Sequence, residues 1–199
     1  MGEKVNAHSL LSIGFNPSFS EKGIRSNITG TKYDKMIKDI RSYYSYDNYK
    51  PDKIATIKGI ELESKIKYKF FNKLKELAKE LNLPWEHIDL LYMRYTKQKE
   101  IEKLFKPENS IINKQIDITL NLIQKLDPKI IIIQNAFVSK ILQKKLNLSW
   151  NDKIGTYLYK DKIPVFLSGM LSGQRALDNG SYDRLKWHMQ YALDKCKDN

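Results

Sequence analysis

The residues best placed to do chemistry lie in four short polar segments, each directly following an apolar run. They are Gly14-Phe15-Asn16-Pro17-Ser18, Tyr92-Met93-Arg94-Tyr95-Thr96, Gln134-Asn135, and the stretch from Gly169 through Met170, Leu171, Ser172, Gly173 and Gln174 to Arg175. In the first, Pro17 stiffens the turn behind Asn16 and Gly14 frees the backbone before it, which fixes one side-chain amide. The segment lacks the GxGxxG spacing that lets a backbone approach a pyrophosphate, so it is not a dinucleotide cradle. It fits a ligand-orienting amide and an Asx-turn leaving a strand equally well. Metal and redox chemistry find little material. The single cysteine, Cys196, excludes an internal disulfide, an iron–sulfur cluster and a cysteine-based zinc site. His8, His87 and His188 are far apart and show no ligand spacing. No metal and no cofactor are expected.

The elements that must position these segments follow from the hydrophobic pattern. Four continuous apolar runs, residues 9–15, 88–93, 130–134 and 165–168, read as strands covered on both faces of a parallel sheet. Between them, Leu62, Ile66, Phe70, Leu74, Leu77, Ala78 and Leu81 recur at helical steps and predict one long amphipathic helix. Ile112, Ile116, Leu120 and Ile123 predict another, stopped by Asp127-Pro128. Val138, Ile141 and Leu142 mark a shorter helix. Tyr182, Leu185, Met189, Ala192 and Cys196 form the seam of a C-terminal helix capped at Ser181, so Cys196 reads as packing. Residues 156–165 read as a hairpin feeding the last strand, with Pro164 tolerated near its start. Strand and helix alternate. The fold class expected is α/β, a three-layer α/β/α sandwich around a central four-stranded, mostly parallel sheet, in a single domain over residues 1–199. In such sheets ligands bind beyond the carboxyl ends of the strands, where the four polar segments stand.

Charge narrows the partners. Across 199 residues, 35 Lys and Arg against 23 Asp and Glu give +12, an excess that attracts polyanions. A uniformly lysine-rich proteome gives the same balance, and a charge run such as Lys97, Lys99, Lys103 and Lys106 also serves as a solvated face. Tyrosines interleave with basic residues from Arg41 to Lys50, fit either to stack on bases or to pack on one another. Trp85, Trp150 and Trp187 read as core or edge packing. No apolar run approaches membrane-spanning length, and residues 1–15 are too weakly apolar for a secretory signal. No membrane association, a cytoplasmic location and a monomer are expected.

The motifs together resemble those of the uracil-DNA glycosylase superfamily. GFNPS, followed by Phe19-Ser20-Glu21-Lys22-Gly23, is similar to the first motif of that superfamily, above all the GINPG form of its mismatch-specific branch. Residues 91–96, LYMRYT, are similar to the LVDRPT-type segment. Ile116 through Ile130 resembles the shared helix and PK-strand. Pro164 to Arg175 aligns with the strand and His-Pro-Ser loop that wedges into the DNA minor groove. The resemblance spans about four-fifths of the chain in the right order. It implies a uracil-DNA glycosylase-like fold, base flipping from double- or single-stranded DNA, and hydrolysis of an N-glycosidic bond. It makes Asn16 the catalytic residue that positions the attacking water. It puts the base pocket at Gly14, Phe15, Ser18, Tyr92, Asn135 and Met170, and DNA contacts at Ser172, Gly173, Gln174 and Arg175.

Departures from the pattern sharpen the expectation. Met170-Leu171-Ser172 replaces His-Pro-Ser, and a thioether cannot donate the hydrogen bond that histidine gives the departing base. The mismatch-specific branch also lacks histidine there. Gln174, Ser168, Ser172 or loop amides are the candidate substitutes, and Met170 and Leu171 would form an apolar wedge beside Arg175. Ser18 stands where uracil-specialised branches carry a tyrosine that blocks pyrimidine C5, which leaves room for a modified base and for a defence role against modified phage DNA. The alternative is a non-catalytic DNA-binding relative that kept the fold and lost the acid-side residue.

Overall fold

A computed structural model of the chain describes residues 8–17, 20–43, 51–93, 98–173 and 176–197. Met1–Ser18 together with Lys73–Asn199 form one compact unit, and Phe19–Asn72 the other.

The larger unit is α/β. Its strands are β1 (Leu10–Gly14), β2 (Trp85–Asp89), β3 (Ile130–Ile133), β4 (Ser149–Asn151), β5 (Thr156–Tyr159) and β6 (Ile163–Leu167). They form a six-stranded mixed sheet in the order β2-β1-β3-β6-β5-β4. The first four run parallel, whereas β5 pairs antiparallel with β6 and β4 antiparallel with β5. The expected four-stranded sheet is therefore too small. The hairpin does form, turned by Lys160 and Asp161, both at positive φ. It adds β5 to the sheet instead of merely feeding β6, and β4, three residues with no apolar run, closes the edge.

Helices lie against both faces. Numbered along the chain from the smaller unit's four (α1–α4, below), they are α5 (Asn72–Glu80), α6 (Gln98–Glu102), α7 (Ser110–Leu126), α8 (Ala136–Lys145) and α9 (Asn179–Lys197). Ile112, Ile116, Ile123 and Leu126 of α7 and Val138 and Leu142 of α8 bury against Leu11, Ile13, Ile131, Ile133 and Val165. On the opposite face α9 covers β6, with the His188 ring edge-on to Phe166. Asp127 ends α7 in the left-handed region just before Pro128, where the sequence predicts the stop. Helix α9 starts three residues earlier than predicted. Asp178 is its cap, accepting from Ser181 N at 2.9 Å and Ser181 Oγ at 2.6 Å, and Ser181 sits inside the first turn. Trp150 on β4 and Trp187 on α9 are largely exposed, so neither is a core residue.

The predicted strand at residues 88–93 is displaced. The ladder forms over Trp85–Asp89, and only the backbone N–H groups of Leu90 and Leu91 continue it, to Gly14 and Phe15. As the sheet's edge, β2 is half-buried along its whole length, which is why its segment is not a clean apolar run.

The smaller unit is helical: α1 (Glu21–Ile28), α2 (Lys32–Met36), α3 (Ile40–Tyr43) and α4 (Pro51–Lys67). Ile28, Ile37, Ile40 and Ile60 form its core, with Ile24, Tyr33 and Tyr43 packed against them. The single long helix predicted from Leu62 to Leu81 is in fact two. α4 ends at Lys67, and a 3-10 turn over Lys69–Phe71 precedes α5. The rings of Tyr68, Phe70 and Phe71 pack on one another at 5.4–5.9 Å. Neighbours one and two apart do not face each other on a helix, so the Phe70–Phe71 and Tyr68–Phe70 contacts fit a break in it. Leu62 and Ile66 are exposed as a result, not part of a continuous seam.

Among the described residues no helix is long and apolar enough to cross a membrane, and no group of three or more His, Cys, Asp or Glu side chains could hold a metal ion.

Candidate functional site

The carboxyl ends of the four parallel strands bring together most of the segments singled out by sequence. Asn16, two residues past β1, donates its amide nitrogen to the carbonyls of Met93 at 3.2 Å and Pro17 at 3.3 Å. The bond to Met93 braces the turn after β1 against the segment after β2, and the bond to Pro17 closes the turn itself. They also define the amide's orientation: Nδ2 faces backbone, and any water-orienting role falls to Oδ1.

Gly14 is glycine because of what lies over it. A Cβ at this position would run into the Asp89 carboxylate and approach the His87 ring at 3.2–3.3 Å. Asp89 pairs in register with Gly14, and His87 with Ser12, on one face of the sheet. From there a polar chain crosses the strands. Ser12 Oγ lies 2.9 Å from His87 Nδ1. Gln134, just past β3, donates Nε2 to Ser12 Oγ, and its Oε1 accepts from Leu171 N at 3.2 Å. His87 Nε2 stands 3.6 Å from Asp89 Oδ1. Ser12 and Gln134 are buried, whereas the side chains of His87 and Asp89 keep 13% and 19% exposure.

The Gln134 end of this chain has a fixed direction. Leu171 N can only donate, so Gln134 presents oxygen to it and nitrogen to Ser12. Ser12 Oγ accepts that bond and shares a second one with His87 Nδ1. The other ring nitrogen, Nε2, is on the edge facing Asp89.

The other expected site residues divide. Phe15 is buried, its ring packed against Phe105 at 6.0 Å and Phe137 at 5.4 Å, so it supports the turn from within the core and presents no face to a base. Tyr92 is exposed and lies along α7. Its N–H donates to Gln115 Oε1 at 2.7 Å, and its hydroxyl is 3.4 Å from Thr119 Oγ1. Asn135 is the N-cap of α8, its Oδ1 accepting from Phe137 N at 2.9 Å and Val138 N at 3.1 Å. Its amide nitrogen is the end left to address a ligand.

The loop after β6 is tied back on itself. Met170 forms an isolated bridge with Ala176 and accepts from Leu177 N at 2.9 Å. Gly173 turns at φ +96°, a conformation that requires glycine. Leu171 is 1% exposed and anchored to Gln134, so it cannot be half of an apolar wedge. The outward positions are Gly169 and Gly173, with Met170 and Ser172 partly covered. Ser18, Gln174, Arg175, Arg94 and Lys97 lie outside the described residues, as do residues 44–50 of the tyrosine-rich run. Lys99, Lys103 and Lys106 are exposed.

Sequence reading missed Asp89, His87 and Ser12, and placed Gln134 at a strand end without its link to Ser12. A signal existed: Ser12-x-Gly14 and His87-x-Asp89 place small or polar residues at alternate positions of strands, on one face, beside an otherwise apolar sheet. No protein-family model, curated protein or solved structure matches the chain.

Proposed function

We propose that this chain is a monofunctional DNA glycosylase with a uracil-DNA glycosylase-like fold. It flips a pyrimidine from DNA and hydrolyses its N-glycosidic bond to leave an abasic site. The observation that carries this reading is the braced amide of Asn16 at the carboxyl end of β1, in the motif that resembles GINPG. Bond cleavage develops positive charge on the sugar and negative charge on the base, and a held amide contributes by orienting water and not by taking its proton. In parallel sheets ligands bind beyond the carboxyl ends of the strands, and Asn16 and the loop after β6 both stand at that end of this sheet. The net charge of +12 supports a DNA partner. The small Ser18 favours uracil or a C5-modified pyrimidine as the target, and a modified target extends the reading to defence against foreign DNA. The protein acts as a monomer, in the cytoplasm, without metal or cofactor.

A second reading rests on the same two bonds. In a non-catalytic DNA-binding relative, Asn16 would brace the turn and do nothing more. Incubating the protein with duplexes carrying uracil, 5-hydroxymethylcytosine or its glucosylated form, then scoring alkali-labile breaks, separates the two. Breaks at the marked base support the enzyme. DNA binding without breaks in any duplex supports the relative.

A further inference from the structure

We infer that Asp89 is a second catalytic group of this site, the carboxylate that accepts the proton of the attacking water. The inference rests on the glycosylase reading and deepens it. Asn16 is neutral, and its donor end is already spent on two carbonyls, so the site as read from sequence has no proton acceptor. Asp89 is the carboxylate at the same junction of β1 and β2. It stands over Gly14, whose missing side chain makes its room, while Asn16, two residues further on, reaches the β2 side through Met93. The polar chain from Leu171 N through Gln134 and Ser12 to His87 is buried until its last member. Only there, at Asp89 and the ring edge facing it, does it regain solvent. A chain of this length built only to satisfy buried groups has no need of an accessible carboxylate at its end. The Nε2 edge of His87 faces the carboxylate at 3.6 Å.

The step balances without further reactants. As the water oxygen bonds the anomeric carbon, one water proton passes to Asp89. The carbon–nitrogen bond breaks and its electron pair leaves with the base, which then takes up the proton from Asp89. The sugar keeps the hydroxyl.

The test is single-turnover base release from the duplex that wild-type protein cleaves, with DNA affinity measured in parallel. Asp89→Asn keeps the shape of the side chain and is expected to slow release about a hundredfold or more, leaving affinity within about threefold. Asp89→Ala is expected to lose as much and to recover with added formate, compared against chloride at the same ionic strength. Release by Asp89→Asn within about threefold of wild type overturns the inference and leaves the glycosylase reading standing. Slow release in both variants with no recovery in formate makes Asp89 structural, and overturns it too. Wild-type protein that releases no base from any duplex removes the reading and the inference together.

Discussion

Two serines of the same strand region make a controlled experiment on the polar chain under the site. Ser9 and Ser12 are both 0% exposed. Ser12 Oγ joins Gln134 to His87, whereas Ser9 Oγ has no hydrogen-bond partner among the described residues. Replacing Ser12 by alanine leaves the Gln134 amide without an acceptor in a buried place, at about 1–3 kcal/mol, and removes the bond to His87, at about 0.5–1.5 kcal/mol. Ser12→Ala should therefore cost about 1.5–4.5 kcal/mol. Ser9→Ala removes an orphaned hydroxyl, and should lie between neutral and about 1 kcal/mol more stable. In urea, with a slope of about 2 kcal/mol per molar, the Ser12 variant's midpoint should fall by about 1–2 M while the Ser9 variant's stays or rises. Equal losses would refute the reasoning. They would mean that each hydroxyl contributes packing alone and that the chain from Leu171 to His87 carries no energy of its own.

Two further outcomes test other links. If about six phosphates are contacted, raising salt from roughly 50 to 200 mM should weaken DNA binding about a thousandfold, and an affinity that barely changes would remove the nucleic-acid partner. Tyr182 donates its hydroxyl to the Lys73 carbonyl at 2.6 Å, and burial, reinforced by Glu76, pushes its phenol up to about 12. The folded state thus holds this proton more tightly than the unfolded chain does. Its contribution is complete below about pH 10 and is lost as pH rises towards 12, so stability should fall in that window, and Tyr182→Phe should flatten the fall.

How much was legible in the sequence depended on whether the signal was local. The apolar runs at 9–15 and 130–134 became β1 and β3 with small shifts, because strands buried on both faces need little but branched apolar residues. Asp127-Pro128 stopped α7 for reasons confined to two residues. The break before α5 was hidden because Phe70 and Leu74 keep helical spacing, although the aromatic rings prefer each other to the helix faces they would occupy. Phe15 looked like part of the pocket by its place in the motif, and only the partners Phe105 and Phe137, some ninety residues or more away, make it core. The same distance hid the polar chain, since Ser12 meets His87 and Gln134 across 75 and 122 residues. Asn16 was visible because glycine and proline around an amide are a local device.

The most direct test of the central claim is the single-turnover rate of base release by Asn16→Ala beside wild type, on the duplex that wild-type protein cleaves best. If the braced amide orients the attacking water, release should fall by about a hundredfold or more while DNA affinity survives, because few phosphate contacts depend on this side chain. An alanine variant that releases base as fast as wild type would contradict the account and leave Asn16 as the brace of a turn.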